Sequence, residues 1–263
     1  MLRALRTAAT GMFAQELQVD TISNNLANVN TTGYKKAKIE FQDLLYQTRR
    51  ALGVANTQGV NIPTEVQIGH GTAAGSVQKM FSQGDVNATD NPLDIAIDGD
   101  GFFQILKNDG RIVYTRDGSF KVSADGRLVT SGGYVLEPEI TLPADTISIN
   151  ISLSGVVSVT TSGDTSDPIE VGRFELVRFM NPAGLESLGG NLYQATIASG
   201  EPFVGTPGTD NIGRLRQGYL EMSNVQVVEE MINMIVAQRA YEINSKSVRT
   251  AEEMLNTASN LRR

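Results

Sequence analysis

Apolar residues recur with two different periods along this 263-residue chain, sevenfold at both ends and alternating in the middle. At the front, Leu5, Met12, Val19 and Leu26 return every seven residues, with Ala8, Gln15, Ile22 and Val29 three places after each. At the back, Val227, Met234, Tyr241, Val248 and Leu255 keep the same interval, followed three places on by Ala237, Asn244, Ala251 and Ala258. A sevenfold beat marks one seam along a helix that needs a partner helix. The front helix is predicted to start within the first few residues and to run to about Asn28. There Asn28, Asn30, Thr31 and Thr32 favour bonds to their own backbone over helix, and Gly33 is free to take the left-handed conformation of a cap. Gly11 inside it costs about 1 kcal/mol against Ala, so the segment needs packing to stay formed.

Between the ends the period falls to two. Short β-rich runs follow one another at Ile95 to Ile97, Phe102 to Leu106, Ile112 to Thr115, Phe120 to Val122, Leu128 to Thr130 and Tyr134 to Leu136. Asp109-Gly110, Asp117-Gly118, Asp125-Gly126 and Gly132-Gly133 stand between them as hairpin turns, and this predicts an antiparallel β domain. Runs at Val156 to Thr160, Glu170 to Phe179 and Tyr193 to Ile197 extend it, with Pro182, Pro202 and Pro207 in loops. The fold class is therefore α+β, with the N- and C-terminal helices paired as an antiparallel coiled coil around a β-rich middle. Ahead of that middle, Tyr34 to Gln47 is mixed polar and aromatic, and Thr48 to Glu65, with Gly53, Gly59 and Pro63, reads as extended or flexible; its apolar flanks Leu44-Leu45-Tyr46 and Val66-Gln67-Ile68 lead to the expectation that it contacts a neighbouring copy and is not a free linker.

Charge separates the same three parts. The net charge of −7 lies wholly in the middle, because Arg3 and Arg6 balance Glu16 and Asp20, and residues 225–263 hold equal numbers of acids and bases. Neutral ends crowd together without accumulated repulsion, while an acidic middle suits a solvated surface and disfavours nucleic acid. The absence of cysteine excludes disulfides, thiolate nucleophiles and sulfur-ligated metals. The first thirty residues carry no apolar stretch of the secretory type, and no apolar run is long enough to span a membrane.

Catalytic chemistry finds no foothold in the pattern. His70, the only histidine, sits between Gly69 and Gly71 without any nucleophile-elbow motif, and reads as a loop residue. Asp98-Gly99-Asp100-Gly101 resembles the opening of a calcium loop, but its twelfth position is Asp109 rather than Glu, so it reads as a tight turn feeding Phe102 and Phe103 into a strand. No cofactor or metal is expected, and the seam residues stand where catalytic residues would: Leu5, Met12, Val19, Ile22, Leu26, Val29, Val227, Met234, Tyr241, Asn244, Val248 and Leu255. Among them Asn244, polar on a row of small residues, is placed to fix register.

Three segments carry a family resemblance: RALRTAATGMFAQELQVDTISNNLANVNTTGYKK at the front, NPLDIAIDGDGFFQI and YTRDGSFKVSADGRLVT in the middle, and GYLEMSNVQVVEEMINMIVAQRAYEINSKSVRTAEEML at the back. Together they resemble the bacterial flagellar rod and hook proteins, and AQRAYEINSK with the insert before VQIGHGT is most like the distal-rod branch. The resemblance implies an inner coiled-coil domain of 1–30 with 226–263, a linking domain of 31–72 with 211–225 including the insert 48–65, and an outer β domain of 73–210. It also implies a structural subunit of the distal rod, exported by a type III route without a cleaved signal and assembled helically into a hollow shaft that carries torque from motor to hook. Implied partners are copies of itself, proximal-rod and hook proteins at its ends and surrounding ring proteins, with no nucleic acid and no membrane insertion. A hook or proximal-rod subunit is the near alternative. A periplasmic cell-wall-acting enzyme would instead need a carboxylate pair in a cleft, and a monomeric adhesin would need no sevenfold ends.

Overall fold

A computed structural model of the chain describes residues 2–50, 66–162 and 164–260. Within the expected insert, Thr48 lies in the strand Tyr46–Arg50, which pairs antiparallel with Val66–Gly69. Residues 51–65, and with them the expected contact of the insert with a neighbour, lie outside the described residues.

The chain forms two compact units. The first joins residues 1–26, 37–78 and 227–263 and holds both long helices, α1 (Leu2–Ala27) and α2 (Val227–Asn260). Neither helix contains proline, Gly11 is the one interruption by glycine, and Glu229 and Glu230 sit in the first turn of α2, where carboxylates oppose the helix dipole. Two short two-stranded ribbons complete this unit, Ala37–Asp43 with Thr72–Lys79 and Tyr46–Arg50 with Val66–Gly69.

The second unit, residues 27–36 and 79–226, is almost entirely β. Its largest sheet runs Glu186–Gly189, Leu192–Gln194, Ile112–Thr115, Phe102–Leu106, Val135–Glu137, Leu128–Val129 and Lys121–Val122, with Leu176–Arg178 and Phe203–Gly205 joined at one side of Phe102–Leu106. Every pairing within it is antiparallel. Phe102 and Phe103 are both buried because the two faces of their strand pack on different cores. Phe103 meets Phe120 edge-on at 5.0 Å among Ile95, Ile97, Leu128 and Leu136, whereas Phe102 lies with Phe179 and Tyr193. Such a strand shows no apolar–polar alternation: in FFQIL four apolar residues surround the single polar Gln104, itself buried.

Three of the four Gly-bearing dipeptides form the expected hairpins, with Gly110, Gly126 and Gly133 in the left-handed region. Asp117-Gly118 does not. A Cβ on Gly118 would fall 1.7 Å from the carbonyl oxygen of Ile95, so that glycine serves a close backbone approach and not a turn. Gly33 is also corrected: its φ of +66° lies well past the end of α1, in a turn where its N–H donates to the carbonyl of Glu221 at 2.8 Å. The expected single run from Glu170 to Phe179 divides into the strands Asp164–Arg173 and Leu176–Arg178. Tyr193 to Ile197 shortens to Leu192–Gln194.

Candidate assembly surface

α1 and α2 pack antiparallel, and one close approach and one hydrogen bond mark their register. Gly11 faces Asn244 so closely that a Cβ on Gly11 would lie 2.8 Å from Asn244 Nδ2. Fourteen residues later on α1 and fourteen earlier on α2, Asn25 Nδ2 donates to Glu230 Oε2 at 3.3 Å. Opposite steps of two heptads along the two helices require antiparallel axes, and the cost of glycine in α1 is explained by the room it leaves for the Asn244 side chain. Asn25 also holds both backbone groups of Ala37, donating to its carbonyl at 2.9 Å and accepting from its N–H at 2.8 Å. One buried side chain thus fastens α1 to α2 and to the first strand.

The side chains buried in this unit's helices are mostly small. Ala8, Ala14, Ile22 and Asn25 on α1 and Glu230, Ala237 and Ala251 on α2 are the buried positions. The larger seam residues flank them: Leu5, Met12, Val19 and Leu26 are half-buried on α1, as are Met234, Asn244, Val248 and Leu255 on α2. Val227 and Tyr241 are exposed, and Val29 is half-buried in the turn after α1. Elsewhere on α2 a second apolar face stands open, with Val228 71% exposed, Ile232 56%, Ile235 50% and Val236 61%. Val228, Ile232 and Ile235 follow the i, i+4, i+7 spacing of one helical face. On α1, Phe13 stands open as well, at 58% exposure.

Within the second unit, the two stretches of chain that connect to the helices lie side by side. Lys36 N–H donates to Asn224 Oδ1 at 2.7 Å, and Asn224 Nδ2 donates to the carbonyl of Met80 at 2.8 Å. Beneath them Lys35 Nζ meets Glu221 Oε1 at 2.5 Å and donates to the carbonyl of Ser82 at 2.7 Å, with Arg116 Nε 3.7 Å from Glu221 Oε2. All three side chains are buried. Burial pushes Lys35 below its ordinary range, against the pull of Glu221, and burial likewise lowers Arg116. Arg116 Nη1 donates to the carbonyl of Gly99 at 2.9 Å and its guanidinium lies over Phe102. Sequence reasoning missed Asn25, Glu230, Lys35, Arg116, Glu221 and Asn224, since charged and amide residues read as solvated until the fold buries them.

His70 is exposed in a loop. Among the described residues no group of three or more His, Asp or Glu is placed to hold a metal, and no helix is long and apolar enough to cross a membrane.

A paired-helix body with a second apolar face, joined to a β body, is the form of a subunit built to be packed against others. Comparison with known proteins gives the family. Residues 5–35 match the model described as flagella basal body rod protein, 96–159 the flagellar hook protein FlgE/F/G D1 domain, and 216–261 the flagellar basal body rod FlgEFG protein C-terminal region. The flagellar basal-body rod protein FlgG of Borreliella burgdorferi is 53% identical over 266 residues, covering 100% of both chains. The FlgG of Caulobacter vibrioides is 48% identical over 99% of this chain and 100% of its own, and that of Bacillus subtilis 40% identical over 100% of both. The chain belongs to the flagellar basal-body rod and hook protein family.

Proposed function

We propose that this chain is a structural subunit of the flagellar distal rod in the basal body, polymerising helically with copies of itself into a hollow shaft that transmits torque from motor to hook. The observation that carries the reading is the second apolar face of α2. A helix that is apolar on more than one side belongs in a packed interior, and among the described residues the face of α2 at Val228, Ile232 and Ile235 stays exposed while the side toward α1 is covered. Copies related by a non-closing rotation cover the rest and continue as a tube. Relatives of the same length named as basal-body rod proteins support the distal-rod assignment.

In this reading 1–30 with 226–263 form the inner domain, 31–72 with 211–225 the linking domain and 73–210 the outer domain. The seam residues Leu5, Met12, Val19, Ile22, Leu26, Val29, Val227, Met234, Tyr241, Asn244, Val248 and Leu255 carry the contacts of the inner tube. Proximal-rod and hook proteins meet the two ends of the shaft and ring proteins surround it. The work is mechanical and not catalytic: torque passes as shear across interfaces, and each large apolar side chain fully buried there contributes about 1.5–3 kcal/mol.

Negative-stain microscopy of the purified chain at rising concentration tests this. Tubes or short rods are the expected result. A chain that stays monomeric at every concentration, and that does not restore rods to cells lacking their own copy, overturns it.

A further inference from the structure

The first unit contains an open groove of about 1520 Å³ at the end of the helix pair where α1 begins and α2 finishes. Arg3, which also donates to Gln47 Oε1, and Arg6 line it together with Leu2, Leu44, Ile68 and Leu255, and no carboxylate is among its described lining. Leu2 is 72% exposed and Arg6 is exposed as well. Walls that mix apolar side chains with the polar Thr7, Thr10, His70, Asn244 and Ser247, and that carry two guanidinium groups, fit an occupant that offers apolar side chains and a carboxylate at close helical spacing.

The chain itself carries such a segment at the other end of the helix pair. The opening turns of α2 present Val228, Met231 and Ile232 to solvent beside the exposed Glu229. Within one molecule the two features cannot meet. Antiparallel pairing puts Glu230 beside Asn25, so Val228 lies near the far end of α1, some twenty residues or about 30 Å from Arg6.

We infer that the groove receives the first two turns of α2 from a second copy of the chain, with Arg3 and Arg6 facing that copy's Glu229. The contact is heterologous, one copy's head in the next one's tail, and therefore propagates rather than closing as a dimer. It rests on the proposal that the chain polymerises with itself, and names one of the interfaces by which it does so.

Two measurements on the full-length chain test it. In the first, R6E and E229R are each expected to raise the concentration needed for polymer about tenfold, and R6E/E229R in one chain to return it toward the unsubstituted value. Single variants that polymerise like the parent, or a double variant no better than either single, overturn the inference. The second uses the lack of native cysteine: differently tagged R6C and V228C chains are mixed, polymerised and oxidised. A disulfide joining a chain of one tag to a chain of the other is expected in the polymer and absent from monomer, since the Cα atoms must come within about 7 Å. Polymer without that cross-link shows that another occupant, such as a proximal-rod or hook protein at a rod end, fills the groove, and overturns the inference while leaving the rod reading intact. Failure of the unsubstituted chain to polymerise removes the basis of both.

Discussion

Glu221 is the residue on which the most buried charge depends. Its carboxylate is in contact with both Lys35 and Arg116, and all three are shielded from water. Replacing it in E221Q leaves two buried cations with the weaker pull of Asp100 as their remaining counter-charge, and losing one partner of a buried pair costs about 3–5 kcal/mol. Thermal unfolding of E221Q should therefore show a clear fall in midpoint, with the charge-retaining E221D losing less; a midpoint equal to the parent's would show that the cluster is not acting as an ion pair. Tyr193 gives a second test at this scale. Burial, and next the neighbouring Tyr34, push its phenol well above the ordinary range. The folded state then keeps a proton that the unfolded chain releases near pH 10, so the stabilisation is complete below about pH 10 and is lost as pH rises beyond it. Lys35 is shifted the opposite way, so the phenol itself is the better readout. The phenolate absorbance of Tyr193, taken as the difference from Y193F, should appear only together with alkaline unfolding, and a titration near pH 10 in the folded protein contradicts this.

At the scale of elements, the helix pair and the β unit differ in how much they bury. The pair covers alanines, one isoleucine and two polar side chains, whereas the β unit packs several phenylalanines and a set of branched residues into continuous cores. Alanine contributes little on burial, and isolated helices of weak propensity are marginal in water. In dilute monomer both terminal helices should be cut first by a protease, leaving a resistant fragment within 79–226, while in polymer the same sites should be protected. Mass spectrometry of a limited digest decides it, and a verified monomer whose residues 2–27 resist digestion as well as the β unit refutes the expectation.

For the whole molecule, assembly should be separable from folding. Val248 and Leu26 lie in the first unit, half-buried beside the helix contact. If the proposed tube forms, an aspartate at either position, in V248D or L26D, places an unpaired charge inside its packed helices and costs several kcal/mol for every copy. Both variants should remain monomeric with a β unit that melts as in the parent, and cells carrying them should lack rods. Normal rods and normal motility from either one would remove those two residues from the seam.

The sequence alone determined what depends on neighbours within a few turns: two heptad helices, their lengths to within a residue or two at α1, and the hairpins closed by Asp109-Gly110, Asp125-Gly126 and Gly132-Gly133. Antiparallel pairing also followed, because a chain that leaves one helix and returns through a distant middle brings the second back beside the first. Tertiary structure decided which of two parallel rows lies at the centre of the helix contact. The row at Leu5, Met12 and Val19 and the row at Ala8 and Ile22 share one period, and only the packed fold, with its close approach of Gly11 to Asn244, buries Ala8 and Ile22 while leaving the other row at the flank. It decided too that Asp117-Gly118 is a backbone crossing beneath Ile95 and not a turn, since a clash at 1.7 Å depends on a residue more than twenty places away. The same holds for Lys35, Arg116 and Glu221: no local pattern distinguishes a charge that will be buried from one that stays wet, because its desolvation is set by strands that arrive from elsewhere in the chain.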